Sequence, residues 1–146
     1  MKQVAAYVLL CVLIPFGGQL AVSETSAWWT HFTYMFGHAN VLHYCLNGIG
    51  WTLMRPILTP ARTLTACLIA AAIPASAIPV LGWSVILYYY MGLCLASMPR
   101  GARVRLLLLV SIGFFIPWIA AWHHAVMLTA GWLIRKVERK WEKTIR

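Results

Sequence analysis

Five side chains in this 146-residue sequence have the types and spacing to do chemistry together: Ser84, His124, His38, His43 and Asn47. Ser84 stands in the otherwise apolar stretch 81–92, two residues after Gly82 and four before Tyr88. A serine hydroxyl becomes a nucleophile when a neighbouring base takes its proton, and histidine is the usual base. There is no aspartate, and the only acids, Glu24, Glu138 and Glu142, lie outside the apolar runs. That inventory excludes a Ser-His-Asp triad, a carboxylate relay and a carboxylate-bound metal, and leaves a Ser-His dyad. Acyl transfer also needs donors toward the developing oxyanion. Asn47 and His38 are the available side chains, with the Ser84 backbone N–H. A lone serine in an apolar helix is ordinarily inert, its hydroxyl bonded to a carbonyl one turn back, so the reading rests on Ser84's company. His123 competes with His124 as the base. His43 and Asn47, four residues apart, share a helical face, with His43 in a structural role and His31 an interfacial loop residue without one.

The elements that position these groups follow from composition. Mean hydropathy is +0.76, and 62% of residues are hydrophobic against 10% charged, where a soluble domain carries roughly 25% charged. The expectation is an all-α, polytopic membrane bundle of six transmembrane helices, forming a single domain over residues 1–146. Segment 1 covers 4–22 and reads as an uncleaved membrane helix, with a secretory signal peptide as the alternative. Residues 23–35 form a first outer loop rich in tryptophan and tyrosine, which favour the membrane interface. Segments 2 to 6 cover 36–54, 64–78, 82–96, 106–116 and 120–134, with Pro117 and Trp118 at an interface. Residues 135–146 form a basic tail. Every lysine and arginine (Lys2, Arg55, Arg62, Arg100, Arg103, Arg105 and the tail) falls on one side of this topology, which predicts cytoplasmic termini. The net charge of +9 then reads as topology and contact with membrane lipids rather than nucleic acid. Cys11, Cys45, Cys67 and Cys94 show no CxxC spacing, which predicts four buried thiols, no disulfide and no zinc site. On this topology segments 2, 4 and 6 descend from the outer face. Ser84, His124, His38 and Asn47 then approach one cavity from that side, since polar groups avoid lipid.

The same residues resemble the rhomboid intramembrane serine proteases, over segments 2 to 6. His38-x4-His43-x3-Asn47 is similar to the family's H-x4-H-x3-N, and Phe32-Thr33 precedes it. Gly82-Trp83-Ser84 resembles G-x-S, with Tyr88 and then Met91-Gly92 following. His124 with Gly131 resembles the histidine and second glycine of H-x-x-G-x-x-x-G. The resemblance implies a serine endopeptidase with Ser84 as nucleophile and His124 as base. It implies that His38 and Asn47 stabilise the oxyanion, that Tyr88 packs on the His124 ring, and that Gly82 and His43 support the cleft. It implies transmembrane protein substrates cut near the outer membrane face, no metal or cofactor, and residence as an integral protein of a bacterial inner membrane. The sequence departs from the pattern at Val85, after the serine, and at Met127, in place of the first glycine after His124. It also has Thr30 where an arginine is usual, and no soluble domain. Two other readings stay open: a rhomboid-like protein without turnover that binds transmembrane helices, and a bis-histidine haem carrier.

Overall fold

A computed structural model of the protein describes residues 14–116 and 119–145. A 3-10 turn over Ile14–Phe16 leads into the one-turn helix α1, Gly17–Leu20, and a second short helix, α2, covers Thr30–Thr33. Five longer helices follow: α3 Val41–Met54, α4 Pro60–Ala72, α5 Ser84–Cys94, α6 Arg100–Gly113 and α7 Ala121–Thr144.

Local chemistry sets their limits. Asn40 caps α3 by accepting from the His43 N–H at 2.8 Å, and Thr59 caps α4 by accepting from Arg62 N–H at 3.3 Å, each satisfying one of the donors a helix start leaves free. Pro60 opens α4 and Pro99 immediately precedes α6, positions where a missing N–H costs nothing.

The centre of the fold is the pair α5 and α7, which run side by side in the same direction. Their approach depends on two glycines. A methyl group at Gly92 would collide with the Leu128 carbonyl, and one at Gly131 with the Tyr89 carbonyl. Helix α4 runs the other way along this pair. Its start meets the end of α5, where the Thr63 hydroxyl and Tyr90 hydroxyl are 2.7 Å apart. Its end meets the segment before α3, where the Tyr34 hydroxyl donates to the Ala70 carbonyl at 3.1 Å. Tyr34, Met35, Ile86, Tyr89, Tyr90 and Met127 are fully buried between these elements.

Two non-helical segments are stitched together over the helix starts. Val22 and Val80 exchange both backbone hydrogen bonds, at 3.0 and 2.9 Å, and Gly82 N–H donates to the Tyr34 carbonyl at 2.9 Å. At the opposite end of the bundle Glu138 of α7 accepts from Arg62 at 3.0 Å and Arg135 at 2.9 Å, and Arg135 also reaches Glu142.

This architecture corrects the six-span membrane bundle. Among the described residues no helix is long and apolar enough to cross a membrane. Helix α3 has 14 residues and α5 has 11, about 21 and 16 Å at 1.5 Å per residue, against a hydrocarbon core of about 30 Å. Helix α7 has 24 residues, but charged side chains occupy its second half. Helices α3 and α5 are shorter than segments 2 and 4, and α4 stops at Ala72, whereas α6 begins before the run 106–116 and α7 continues past 134, both taking in charged residues. The expected integral placement in a bacterial inner membrane, the membrane and transmembrane descriptors and the cytoplasmic assignment of the termini are overturned with the spans. Large apolar side chains are nonetheless exposed on α3, among them Leu42, Leu46 and Leu53.

Smaller expectations change too. Most of segment 1, including Cys11, lies outside the described residues, as do Pro117 and Trp118. The loop 23–35 does not simply lie at a surface: Thr30, Tyr34 and Met35 are buried, and His31 Nδ1 lies 3.1 Å from the Ala71 carbonyl oxygen. The basic tail continues α7 without a break as far as Thr144. Cys45 is exposed rather than buried, and Cys67 and Cys94 are half-buried.

Candidate active site

Three helix starts meet at one end of the bundle: those of α3, α5 and α7. Ser84 is the first residue of α5 and His124 lies in the first turn of α7. Because α5 and α7 are parallel and tightly packed, the two side chains come level. Ser84 Oγ and His124 Nε2 are 3.0 Å apart, a hydrogen-bond distance. With Nε2 unprotonated, the serine hydroxyl donates to it. Both residues are half-buried.

Tyr88, one turn after Ser84, stacks on the His124 ring, with centroids 4.2 Å apart and planes inclined by 15°. The stack holds the imidazole plane and leaves Nε2 aimed at the serine. The adjacent His123 points elsewhere. It is fully buried, its ring meets Tyr34 edge-on at 6.1 Å, and its Nε2 has no hydrogen-bond partner. Consecutive helix residues differ by about 100° in direction, which separates the two histidines into a core residue and a site residue.

Helix α3 supplies the other wall. His43, Asn47 and Trp51 recur every four residues and face α5. Gly82 has φ of +120°, a conformation that favours glycine. A methyl group there would lie 2.7 Å from His43 Nε2 and 3.4 Å from Asn47 Nδ2. The Asn47 amide nitrogen is buried with no hydrogen-bond partner, an arrangement that normally signals a missing acceptor. The backbone N–H groups at the start of α5 belong to a helix N-terminus, where donors are unpaired and the dipole favours negative charge.

His38, expected beside the oxyanion, sits among other rings. It is 1% exposed, and its ring packs edge-on against His43 at 5.3 Å and Tyr44 at 5.2 Å. His43 stands beside Gly82 and Asn47, with the His38 ring against its own. The H-x4-H-x3-N spacing does not say which histidine faces the serine.

Burial governs the protonation of these rings. His124 is pushed down to about 4, first by desolvation and then by His123 and His43 nearby. His38 is likewise lowered to about 4 by burial and by His43, with the Phe36 backbone pulling the other way. Burial also lowers His43. All three are therefore neutral at pH 7.

Val85 and Met127, the two departures in sequence, are absorbed into the core at 1% and 0% exposure. The aromatic flank is not foreshadowed in the sequence: the Trp83 ring lies 5.5 Å from Phe36 and 5.1 Å from Trp51. Nothing local signals it, because it joins three separate segments. Among the described residues no group of three or more metal-ligating side chains is placed to hold a metal ion. No protein-family model matches the chain, and no curated protein matches it.

Proposed function

We propose that this chain is a serine endopeptidase acting through a Ser84–His124 dyad, of the kind that rhomboid proteases carry. The observation that supports it is the 3.0 Å contact between Ser84 Oγ and His124 Nε2 under the Tyr88 ring. In the proposed reaction His124 takes the Ser84 proton as Oγ attacks the peptide carbonyl carbon. The carbonyl oxygen becomes an oxyanion, and His43, Asn47 and the Ser84 N–H are the donors for it. Collapse breaks the C–N bond, His124 returns its proton to the leaving amine, and an acyl ester remains on Ser84. Water, deprotonated by His124, then releases the acid and restores the serine. His38 acts through His43 as a positioning residue. The proposed substrates are apolar, transmembrane-type segments of other proteins, opened locally so that one carbonyl reaches Ser84. Half-exposed Phe36 and Trp83 offer such a segment an apolar flank.

Labelling with a fluorophosphonate tests this reading. The parent protein is expected to be labelled, Ser84→Ala not at all, and His124→Ala at least about a hundredfold more slowly. A parent that resists labelling, or a Ser84→Ala variant that accepts it, rules the dyad out.

A further inference from the structure

The second half of α7, away from the dyad, has an unusual division of its surface. Leu133, Val137, Trp141 and Ile145 recur every four residues, and they are 49%, 69%, 68% and 68% exposed. At about 100° per residue these four make one slowly turning stripe along the outside of the helix. Lys136, Lys140 and Lys143 border it on one flank, and all three are exposed. The acids fall on the other side. Glu138 is taken up by Arg62 and Arg135, and Glu142 by Arg135, so neither neutralises the lysine flank. Lys136 lies 4.2 Å above the Trp132 ring, and among the described residues no ion pair engages Lys140 or Lys143.

We infer that this half of α7 docks on an anionic lipid surface, lying flat with its apolar stripe among the acyl chains and its lysines at the headgroup phosphates. Charge complementarity selects the partner: an uncompensated cationic flank needs an anion, and a contiguous apolar stripe needs something apolar beside that anion. An anionic lipid surface offers both at the required depth, with tryptophan at the level it favours. Nucleic acid would match the lysines but leave the stripe in water. A second copy of this chain would cover the stripe but bring like charges together. This docking is peripheral. It needs no spanning helix, and it does not depend on the dyad being catalytic.

The test is co-flotation of the full chain with vesicles of phosphatidylcholine alone or with about 30% phosphatidylglycerol, in low and high salt. Binding is expected to be about a hundredfold stronger to the anionic vesicles, from roughly fivefold per lysine, and to fall with salt. Lys136→Gln, Lys140→Gln and Lys143→Gln together should remove that preference. Val137→Ser with Trp141→Ser should weaken binding to the anionic vesicles at least tenfold while the helix content stays unchanged. Equal binding to both vesicle types, a triple-glutamine variant that floats like the parent, or capture by duplex DNA without vesicle binding would each overturn the inference. So would self-association that buries Trp141 and persists in the presence of anionic vesicles. Fluorophosphonate labelling of the same variants is expected to match the parent, which keeps this result separate from the fate of the dyad.

Discussion

Gly82 shows how little freedom the candidate site has at the level of a single residue. Its φ is +120°, and a methyl group on its Cα would sit 2.5 Å from the His43 ring, which leaves room only for hydrogen. Gly82→Ala is therefore expected to lose about 1 to 3 kcal/mol, the strain of a sparsely allowed backbone conformation. The added methyl should also displace His43 from Asn47, so fluorophosphonate labelling should fall even where the protein stays folded. Chemical denaturation and labelling rate, measured on the same preparation, check the two effects separately. His124 gives a second expectation. Its pKa is lowered from 6.5 to about 4, chiefly by desolvation, so it stays an unprotonated base well into acid. The labelling rate should be flat from neutral pH down to about 5 and fall as pH drops through about 4. An inflection near 6.5 would place the base in solvent or assign it to another histidine. Neither the glycine's constraint nor the depressed histidine is legible from residue type alone, because both depend on what α3 and α7 bring alongside.

Helices, rather than single residues, decide whether the dyad is aligned. Ser84 and His124 meet because α5 and α7 run parallel at a separation that Gly92 and Gly131 permit. Gly131→Ala would press a methyl group into the Tyr89 carbonyl, and backbone cannot move aside as a flexible side chain can. The helices must separate, which should destabilise the protein by about 1 to 3 kcal/mol. The dyad lies about two turns away, so a tilt of one helix should also lengthen the Ser84–His124 contact. Urea unfolding should shift to lower denaturant, and labelling of the folded fraction should slow more than stability alone explains. Much at this scale is legible in the sequence. Asn40, Thr59, Pro60 and Pro99 are local signals for helix starts, and the apolar runs between them are plain. Assigning each run to a membrane span is what fails. Residues 36–40, counted in segment 2, stay outside α3 because Asn40 caps its start. Residues 73–80 likewise leave α4 for a non-helical segment whose last residue, Val80, pairs with Val22. A hydropathy pattern records how apolar a run is, whereas caps and prolines decide how much of it is helix.

Across the whole molecule, buried histidines link the fold to pH. His38 and His123 are each 1% exposed, and each is lowered from 6.5 to about 4, His38 by burial and His43, His123 by burial and His31. Among the described residues no carboxylate contributes to either shift. The groups around His123 are His31, Tyr34 and His124, and those around His38 are His43 and Tyr44. Only the Phe36 backbone beside His38 favours a positive charge, and burial outweighs it. A group with a depressed folded pKa takes up protons on unfolding, so stability is fully present above 6.5 and declines as pH falls from there toward 4. At pH 5 the loss should be roughly 2 kcal/mol for each fully buried ring, at about 1.36 kcal/mol per pH unit. The urea midpoint should therefore drop clearly between pH 7.5 and pH 5. His123→Gln removes one titrating ring without charging the core. Such a variant should be less stable than the parent at pH 7.5, because packing against Tyr34 is lost, yet show a shallower decline toward pH 5. A parent whose urea midpoint does not move between those two pH values would mean that the histidines are hydrated, and that the end of the bundle holding Ser84 and His124 is open to water.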